Sequence, residues 1–256
     1  TRKTYLYTSE KIDGPWKKQL IEGFYHDGSL LFDEDGRNYI VYGNDEIWIT
    51  ELNEDLTAPK KDGLHRLLVS DHKNPELGYE GSHIQKINGY YYIFLVHSLR
   101  DRWMRTEACF YSDSLEGEFT GGDVLCDDRG YCGQGVAQGG IVDTPDGKWY
   151  AMLFQDSGAV GRIPILLPVT WKDHFPFFGQ NGHVPEEIEV HSTRPGYIYQ
   201  PLVGSDDFCN GLLPRWQFNH DPDPRYYHLD ALQGTYTITT REVCTELTQA
   251  VNTLTQ

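Results

Sequence analysis

Two acids, an amide and a guanidinium stand out in the 256-residue sequence by their neighbours and their spacing. Asp27 sits in His26-Asp27-Gly28-Ser29, Glu80 in Glu80-Gly81-Ser82-His83, and Gln138 in Gln138-Gly139-Gly140. Each is followed by small residues that leave room for a ligand and then by an apolar run. A fourth, Arg162, ends Asp156-Ser157-Gly158-Ala159-Val160-Gly161-Arg162. Two carboxyl groups brought to one place can share hydrolytic work: one gives a proton to the departing oxygen, the other, ionised, activates water or attacks. An arginine beside them offers several directed hydrogen bonds to hydroxyls or to a carboxylate. Taken singly, each acid has a blander reading as a strand-start residue bonding local amides, and Arg162 as half of a structural ion pair.

The elements that must position these residues form an internal repeat. An Asp-Gly or Asn-Gly turn feeding a Tyr- or Trp-containing strand recurs three times, with its glycines, Gly36, Gly89 and Gly147, 53 and 58 residues apart. The strands that follow are Tyr39-Ile40-Val41-Tyr42, Tyr90 to Leu95, and Trp149-Tyr150-Ala151-Met152-Leu153. Tyr7-Thr8-Ser9 through Gly14-Pro15-Trp16 is echoed by Tyr111-Ser112-Asp113 through Gly117-Glu118-Phe119. Short strands, frequent turn residues and a period in the fifties predict antiparallel blades of an all-β propeller, with a β-sandwich bearing chance hairpins as the competitor. Counting nine residues back from each turn glycine lands on Asp27, Glu80 and Gln138, so the repeat predicts that these three meet on the propeller axis.

At these residues the sequence resembles glycoside hydrolase family 43. The likeness runs over most of residues 1 to 178 and is carried by Asp27 with Ser29-Leu30-Leu31-Phe32-Asp33-Glu34-Asp35-Gly36, by Glu80-Gly81-Ser82-His83-Ile84, and by Gly139-Gly140-Ile141-Val142 through Gly161-Arg162. It implies a five-bladed propeller with an acidic axial pocket. It further implies Glu80 as general acid, Asp27 as the acid that tunes and orients it, and Arg162 as a sugar-binding arginine. The acid must hold a proton at working pH, which burial beside an ionised Asp27 would favour. Gln138 stands where many members carry an axial histidine associated with a water or calcium ion; no cofactor is expected to be required, and calcium is in doubt at that position. His83, Trp103 and Phe154 are further candidates for the pocket lining, against their alternative reading as packed core residues.

The resemblance also sets the domain expectations: a partial five-bladed propeller over 1–178, a connector over 179–202, and the start of a β-sandwich over 203–256. Thr4-Tyr5-Leu6-Tyr7-Thr8 reads as a strand at once, and residues 1 to 22 as the outer half of a second blade. On this reading the blade that bears the family's general base lies outside the chain. Residues 1–256 alone are then expected to hydrolyse nothing at a useful rate, and pentose release at the parent's rate would overturn that. Beyond residue 202, Trp216-Gln217-Phe218-Asn219-His220 and the alternating Gly234-Thr235-Tyr236-Thr237-Ile238-Thr239 mark strands.

Composition narrows the partners. A formal net charge of −16 lacks the clustered cations that displace counterions from nucleic acid or anionic membranes, so neither partner is expected. No apolar stretch approaches the roughly 20 residues of a membrane span. The five cysteines form no CxxC pair or zinc spacing, and nothing in the sequence assigns a compartment. The resemblance implies plant cell-wall oligosaccharide or polysaccharide as substrate, with arabinofuranose or xylose released from arabinoxylan or xylo-oligosaccharides by inversion. The rivals are a catalytically silent propeller that only binds carbohydrate, a structural scaffold, and the related fructan-hydrolysing propellers. The last use a Glu-Cys motif, and here Glu80 is followed by Gly81.

Overall fold

The computed structural model describes residues 2–190, 192, 194–199, 201, 203–219, 221–246 and 249–256. The chain divides into two compact units, Thr1–Glu189 and Val190–Gln256. The division falls inside the expected connector, four of whose residues (191, 193, 200 and 202) lie outside the described set, as do His220 and residues 247 and 248.

In the first unit, β1 (Thr4–Thr8) and β2 (Lys17–Ile21) form a two-stranded antiparallel sheet, in line with the strand read at Thr4–Thr8. Three four-stranded meanders follow. The first is β3 (Ser29–Phe32), β4 (Asn38–Asn44), β5 (Glu46–Leu52) and β6 (His65–Ser70). The second is β7 (Glu80–Ile87), β8 (Tyr90–Ser98), β9 (Arg105–Ser112) and β10 (Thr120–Leu125). The third is β11 (Ala137–Asp143), β12 (Trp149–Asp156), β13 (Arg162–Lys172) and β14 (Phe175–Phe178). Within each, every strand pairs with the next in sequence, the order of a propeller blade.

The blades stack face to face and bury their apolar alternates between them. One core joins the first and second blades through Leu31, Tyr39, Val41, Ile47 and Ile49 on one side and Ile84, Tyr91, Ile93 and Leu95 on the other. A second joins the second and third through Tyr92, Phe94 and Cys109 against Ile141, Ala151, Leu153 and Leu167. A third packs Leu6 and Ile21 of the two-stranded sheet on Tyr25, Ile40 and Leu52. The central strand β8 is buried on both faces, and its run Tyr91 to Val96 is therefore apolar throughout.

Directed bonds fix the blades in register. Ser82 Oγ lies 2.9 Å from the Asp27 carbonyl oxygen and 2.8 Å from that of Val41, and the Ile84 N–H donates to Ser29 Oγ at 3.1 Å. Gln85 Nε2 donates to the Ile141 carbonyl at 2.8 Å, tying the second blade to the third.

The nine-residue count aligns the repeats imperfectly. The β3–β4 and β11–β12 hairpins close with five-residue loops, 33–37 and 144–148, whereas β7–β8 closes with Asn88-Gly89 alone, both in the left-handed region that a two-residue hairpin demands. Backbone geometry gives the true equivalence. Each inner strand starts with one extra residue, four facing three on the neighbouring strand: Glu80 to His83 against Val96 to Phe94, and Ala137 to Gly140 against Phe154 to Met152. The first blade repeats this, with the Gly43 N–H on the His26 carbonyl and Ser29 opposite Val41. The positive-φ residue of each bulge is Asp27 (φ 45), Gly81 (φ 65) or Gln138 (φ 69). Glu80 is thus the structural counterpart of His26 and Ala137, one residue ahead of Asp27 and Gln138.

The second unit carries two small antiparallel sheets, β15 (Gln217–Phe218) with β18 (Leu254–Thr255), and β16 (Tyr227–Asp230) with β17 (Thr235–Ile238). The alternating run read at 234–239 is β17. Asn252, 1% exposed, accepts the Asp223 N–H at 2.7 Å and donates to the Asp223 carbonyl at 3.1 Å. Tyr236 Oη donates to the Asn252 carbonyl at 2.7 Å.

Candidate active site

The bulges common to the three blades bring the predicted acids and amide together. The extra residue turns the chain at the start of each inner strand, so side chains at 26–27, 80 and 138 leave the sheet plane toward a common opening. His26 Nε2 lies 3.5 Å from Glu80 Oε2 and 3.7 Å from Asp27 Oδ2, and these donor atoms all fall within 4.8 Å of one another. Asn44 Nδ2, at the end of β4, donates to Glu80 Oε2 at 2.8 Å. The Asp27 side chain is 39% exposed and that of Glu80 23%, so both reach solvent and a ligand could meet them.

Gln138 joins them over Gly81. A methyl placed at Gly81 would stand 2.7 Å from Gln138 Cγ and Nε2, so the amide side chain lies across that glycine's backbone. His83 flanks the opening near Gly140, whose added Cβ would lie 3.4 Å from His83 Nδ1. Its ring is open to water and yet crowded from the sides; this crowding pushes the imidazole below its ordinary value, and the charge of Asp27 offsets part of the effect.

Arg162 opens β13 and is 63% exposed. Its Nε donates to Asp156 Oδ1 at 3.3 Å, and Arg105 Nη1 holds the other oxygen, Asp156 Oδ2, at 3.1 Å. Both guanidinium groups stand beside the half-buried Phe154 ring, 4.5 Å and 4.6 Å from its centroid. The Arg105 side chain is 5% exposed; burial lowers its pKa, Asp156 opposes that, and the fields of Arg162, Glu107 and Glu80 also reach it. Those fields put Arg105 within electrostatic range of Glu80. Next to it a concave space of ≈ 420 Å³ is lined by Tyr131, Cys132, Gln134, Asp156 and Gly158.

Trp103 precedes β9, is 39% exposed, and packs on Gly133, between Cys132 and Gln134 of that space; an added Cβ at Gly133 would meet the Trp103 carbonyl at 2.5 Å and its ring at 3.1 Å. The residues that the sequence reading passed over are His26, Asn44, Arg105, Glu107 and Asp156. His26 and Asp156 open two of the quoted motifs, so proximity in sequence could have flagged them. Arg105 and Glu107 carry no local signal, because they enter through β9, the third strand of the second blade.

The one cluster of potential metal-binding side chains among the described residues is His26, Asp27 and Glu80, an imidazole with two carboxylates. Glu80 Oε2 is already bonded to Asn44. All five cysteines are free thiols, and no helix among the described residues is long and apolar enough to cross a membrane.

The family model for glycosyl hydrolases family 43 matches residues 1–176. The chain belongs to glycoside hydrolase family 43. Among solved structures of this family, a protein titled "Bifunctional GH43-CE" from Bacteroides eggerthii is 42% identical and superposes with a TM-score of 0.82, over 99% of this chain and 33% of that one. Among curated family 43 relatives, a β-xylosidase of Formosa agariphila is 26% identical, over 89% of this chain and 44% of the relative. A non-reducing end α-L-arabinofuranosidase of Bacteroides ovatus, BoGH43B, is 24% identical, over 90% and 45% respectively. The chain thus spans less than half the length of these curated relatives. The family membership agrees with the propeller architecture built above.

Proposed function

We propose that the protein carrying this chain is a glycoside hydrolase that releases arabinofuranose or xylose from arabinoxylan or xylo-oligosaccharides, with Glu80 as its general acid. The observation that carries this reading is the convergence of Glu80, Asp27 and His26 within 4.8 Å at the mouth of the blades. Glu80 gives its proton to the departing glycosidic oxygen. Asn44, on one carboxyl oxygen of Glu80, restricts its rotation and leaves the other oxygen to face the substrate.

Asp27 is too near Glu80 to act as the water-activating partner of an inverting pair, whose carboxyl groups stand roughly 6.5–9.5 Å apart to admit the water. Its role is to orient and tune the acid from one side. Gln138 and His83 beside the acids, and Arg162 on Asp156, bind sugar hydroxyls, and Phe154 supports the Arg162 guanidinium. The carboxylate that activates water is not assigned to any residue here. The names of the relatives include both xylosidase and arabinofuranosidase, which supports the pair of sugars without choosing between them. Residues 203–256, within the unit Val190–Gln256, are read as part of a β-sandwich domain.

The test compares the protein with its Glu80→Gln variant on arabinoxylan oligosaccharides and on nitrophenyl pentosides. Loss of about 10²–10⁴-fold on the oligosaccharides, with a smaller loss on nitrophenyl substrates whose leaving group needs little protonation, is the expected result. Equal losses on both would remove Glu80 from the acid role. Binding of both substrates by a wild-type protein that turns over neither would replace the hydrolase with a carbohydrate-binding propeller.

A further inference from the structure

Glu107 lies on β9 with 0% of its surface exposed, between the second and third blades. One carboxyl oxygen, Oε2, accepts the backbone N–H of Gln138 at 2.6 Å; the other, Oε1, has no hydrogen-bond partner among the described residues. An ionisable group enclosed this way is costly, and an apolar residue would fill the same space without that cost. The bond it makes is therefore the informative feature.

Gln138 holds a left-handed backbone conformation, φ 69, that residues with a Cβ rarely adopt. The bulge between Ala137 and Gly140 takes its N–H out of the β11–β12 ladder, and a buried N–H without an acceptor is seldom tolerated. Glu107 supplies the acceptor from the neighbouring blade. The peptide's orientation sets the direction of the side chain, and that side chain lies across Gly81, one residue from Glu80.

We propose that Glu107 is a positioning residue for the axial site: by clamping the Gln138 peptide across the blade interface it aims the Gln138 amide at the bound sugar. The proposal rests on the reading of this opening as the sugar site.

Burial pushes the Glu107 carboxyl well above the usual carboxylate range, and the Gln138 N–H and Arg105 oppose it only in part. The charge of Arg105 is directed at Asp156, 3.1 Å away. A glutamine side chain keeps an accepting oxygen and removes the ionisable group, and therefore tells clamping from charge.

Glu107→Gln, Glu107→Ala and Gln138→Gly are compared in the protein carrying this chain, by pentoside kinetics and by crystal structures. Glu107→Gln is expected to keep KM and the position of Gln138. Glu107→Ala is expected to raise KM about tenfold with a much smaller change in kcat, and to release Gln138 from its left-handed conformation. Gln138→Gly tolerates the same backbone and is expected to raise KM alike, and Glu107→Ala added to it should change KM no further.

A folded Glu107→Ala protein with wild-type KM and Gln138 in place would overturn the proposal. So would a Glu107→Gln protein as impaired as the alanine variant. Should the alanine variant not fold, the glutamine variant decides by the same two readouts. If the wild-type protein neither binds nor cleaves pentosides, the function reading falls, and the position of Gln138 in the variant structures still decides the role of Glu107.

Discussion

Lys86 Nζ reaches across from the second blade to Asp33 Oδ1 of the first at 2.6 Å. Asp33 closes the turn after β3 and its side chain is 2% exposed; that of Lys86 is 21% exposed. Tyr91 Oη donates to the second carboxyl oxygen at 2.5 Å and the Glu34 N–H to the first at 2.7 Å, so a single buried carboxylate gathers three donors at the blade boundary. The Asp33-Glu34-Asp35-Gly36 motif is thus an inter-blade fastening as well as a hairpin.

Burial would raise the Asp33 carboxyl, but its bonds to Lys86, Tyr91 and the Glu34 N–H outweigh burial and hold it below the ordinary value of 3.8. A carboxyl lowered in the folded state contributes stability that is present above 3.8 and lost as pH falls through its folded value. Asp33→Asn is therefore expected to destabilise the protein most at neutral pH, with the gap to wild type narrowing below about pH 4. Lys86→Met, which leaves Asp33 two of its donors, should cost about 2–3 kcal/mol at pH 7. Urea unfolding at pH 7 and pH 3 measures both, and a gap that widens at pH 3 would contradict the assignment.

Gly81 tolerates no side chain without moving Gln138. A Cβ there would take φ 65 and lie 2.7 Å from Gln138 Cγ and Nε2, which are flexible side-chain atoms that can yield. Gly81→Ala is expected to cost about 1–2 kcal/mol, the backbone penalty alone, while KM for pentosides rises because Gln138 is displaced. Gly81→Ala combined with Gln138→Gly relieves the contact, so its stability loss should not exceed that of Gly81→Ala. A single variant with normal KM would place Gln138 outside the site.

His83 offers a direct probe of the acids. The crowding of its ring lowers the imidazole and Asp27 raises it, so removing the charge of Asp27 must let the value fall further. In ¹H–¹⁵N NMR titrations His83 is expected to titrate below 6.5 in the wild type and lower still in Asp27→Asn. An upward move in the variant would show that Asp27 does not face the ring.

The sequence carried the blade repeat, the strand starts and both acids, because a propeller writes its period into turn residues and each inner strand begins with small residues. Its register carried less. Nine residues from a turn glycine is a reliable ruler only when the hairpins match, and Asn88-Gly89 replaces a five-residue loop. The count therefore reached Glu80, the acid that converges, while the backbone equivalent of Asp27 is Gly81. Arg105 and Glu107 were illegible because they come from a strand two removed from the axis in sequence.

Asp156 separates two arginines whose burial differs, and the difference predicts how their loss will read out. Arg105 is 5% exposed and Arg162 63%, on opposite oxygens of the same carboxylate. An exposed ion pair contributes roughly 0–1 kcal/mol, so Arg162→Ala should leave thermal stability nearly unchanged and appear as weaker binding of pentosides. Asp156→Asn removes the partner of a buried guanidinium and leaves two like charges beside Phe154, which should cost about 3 kcal/mol and also impair binding by releasing Arg162. Thermal unfolding combined with kcat/KM separates the two. Equal destabilisation by Arg162→Ala and Asp156→Asn would make Arg162 a structural residue and remove it from the sugar site.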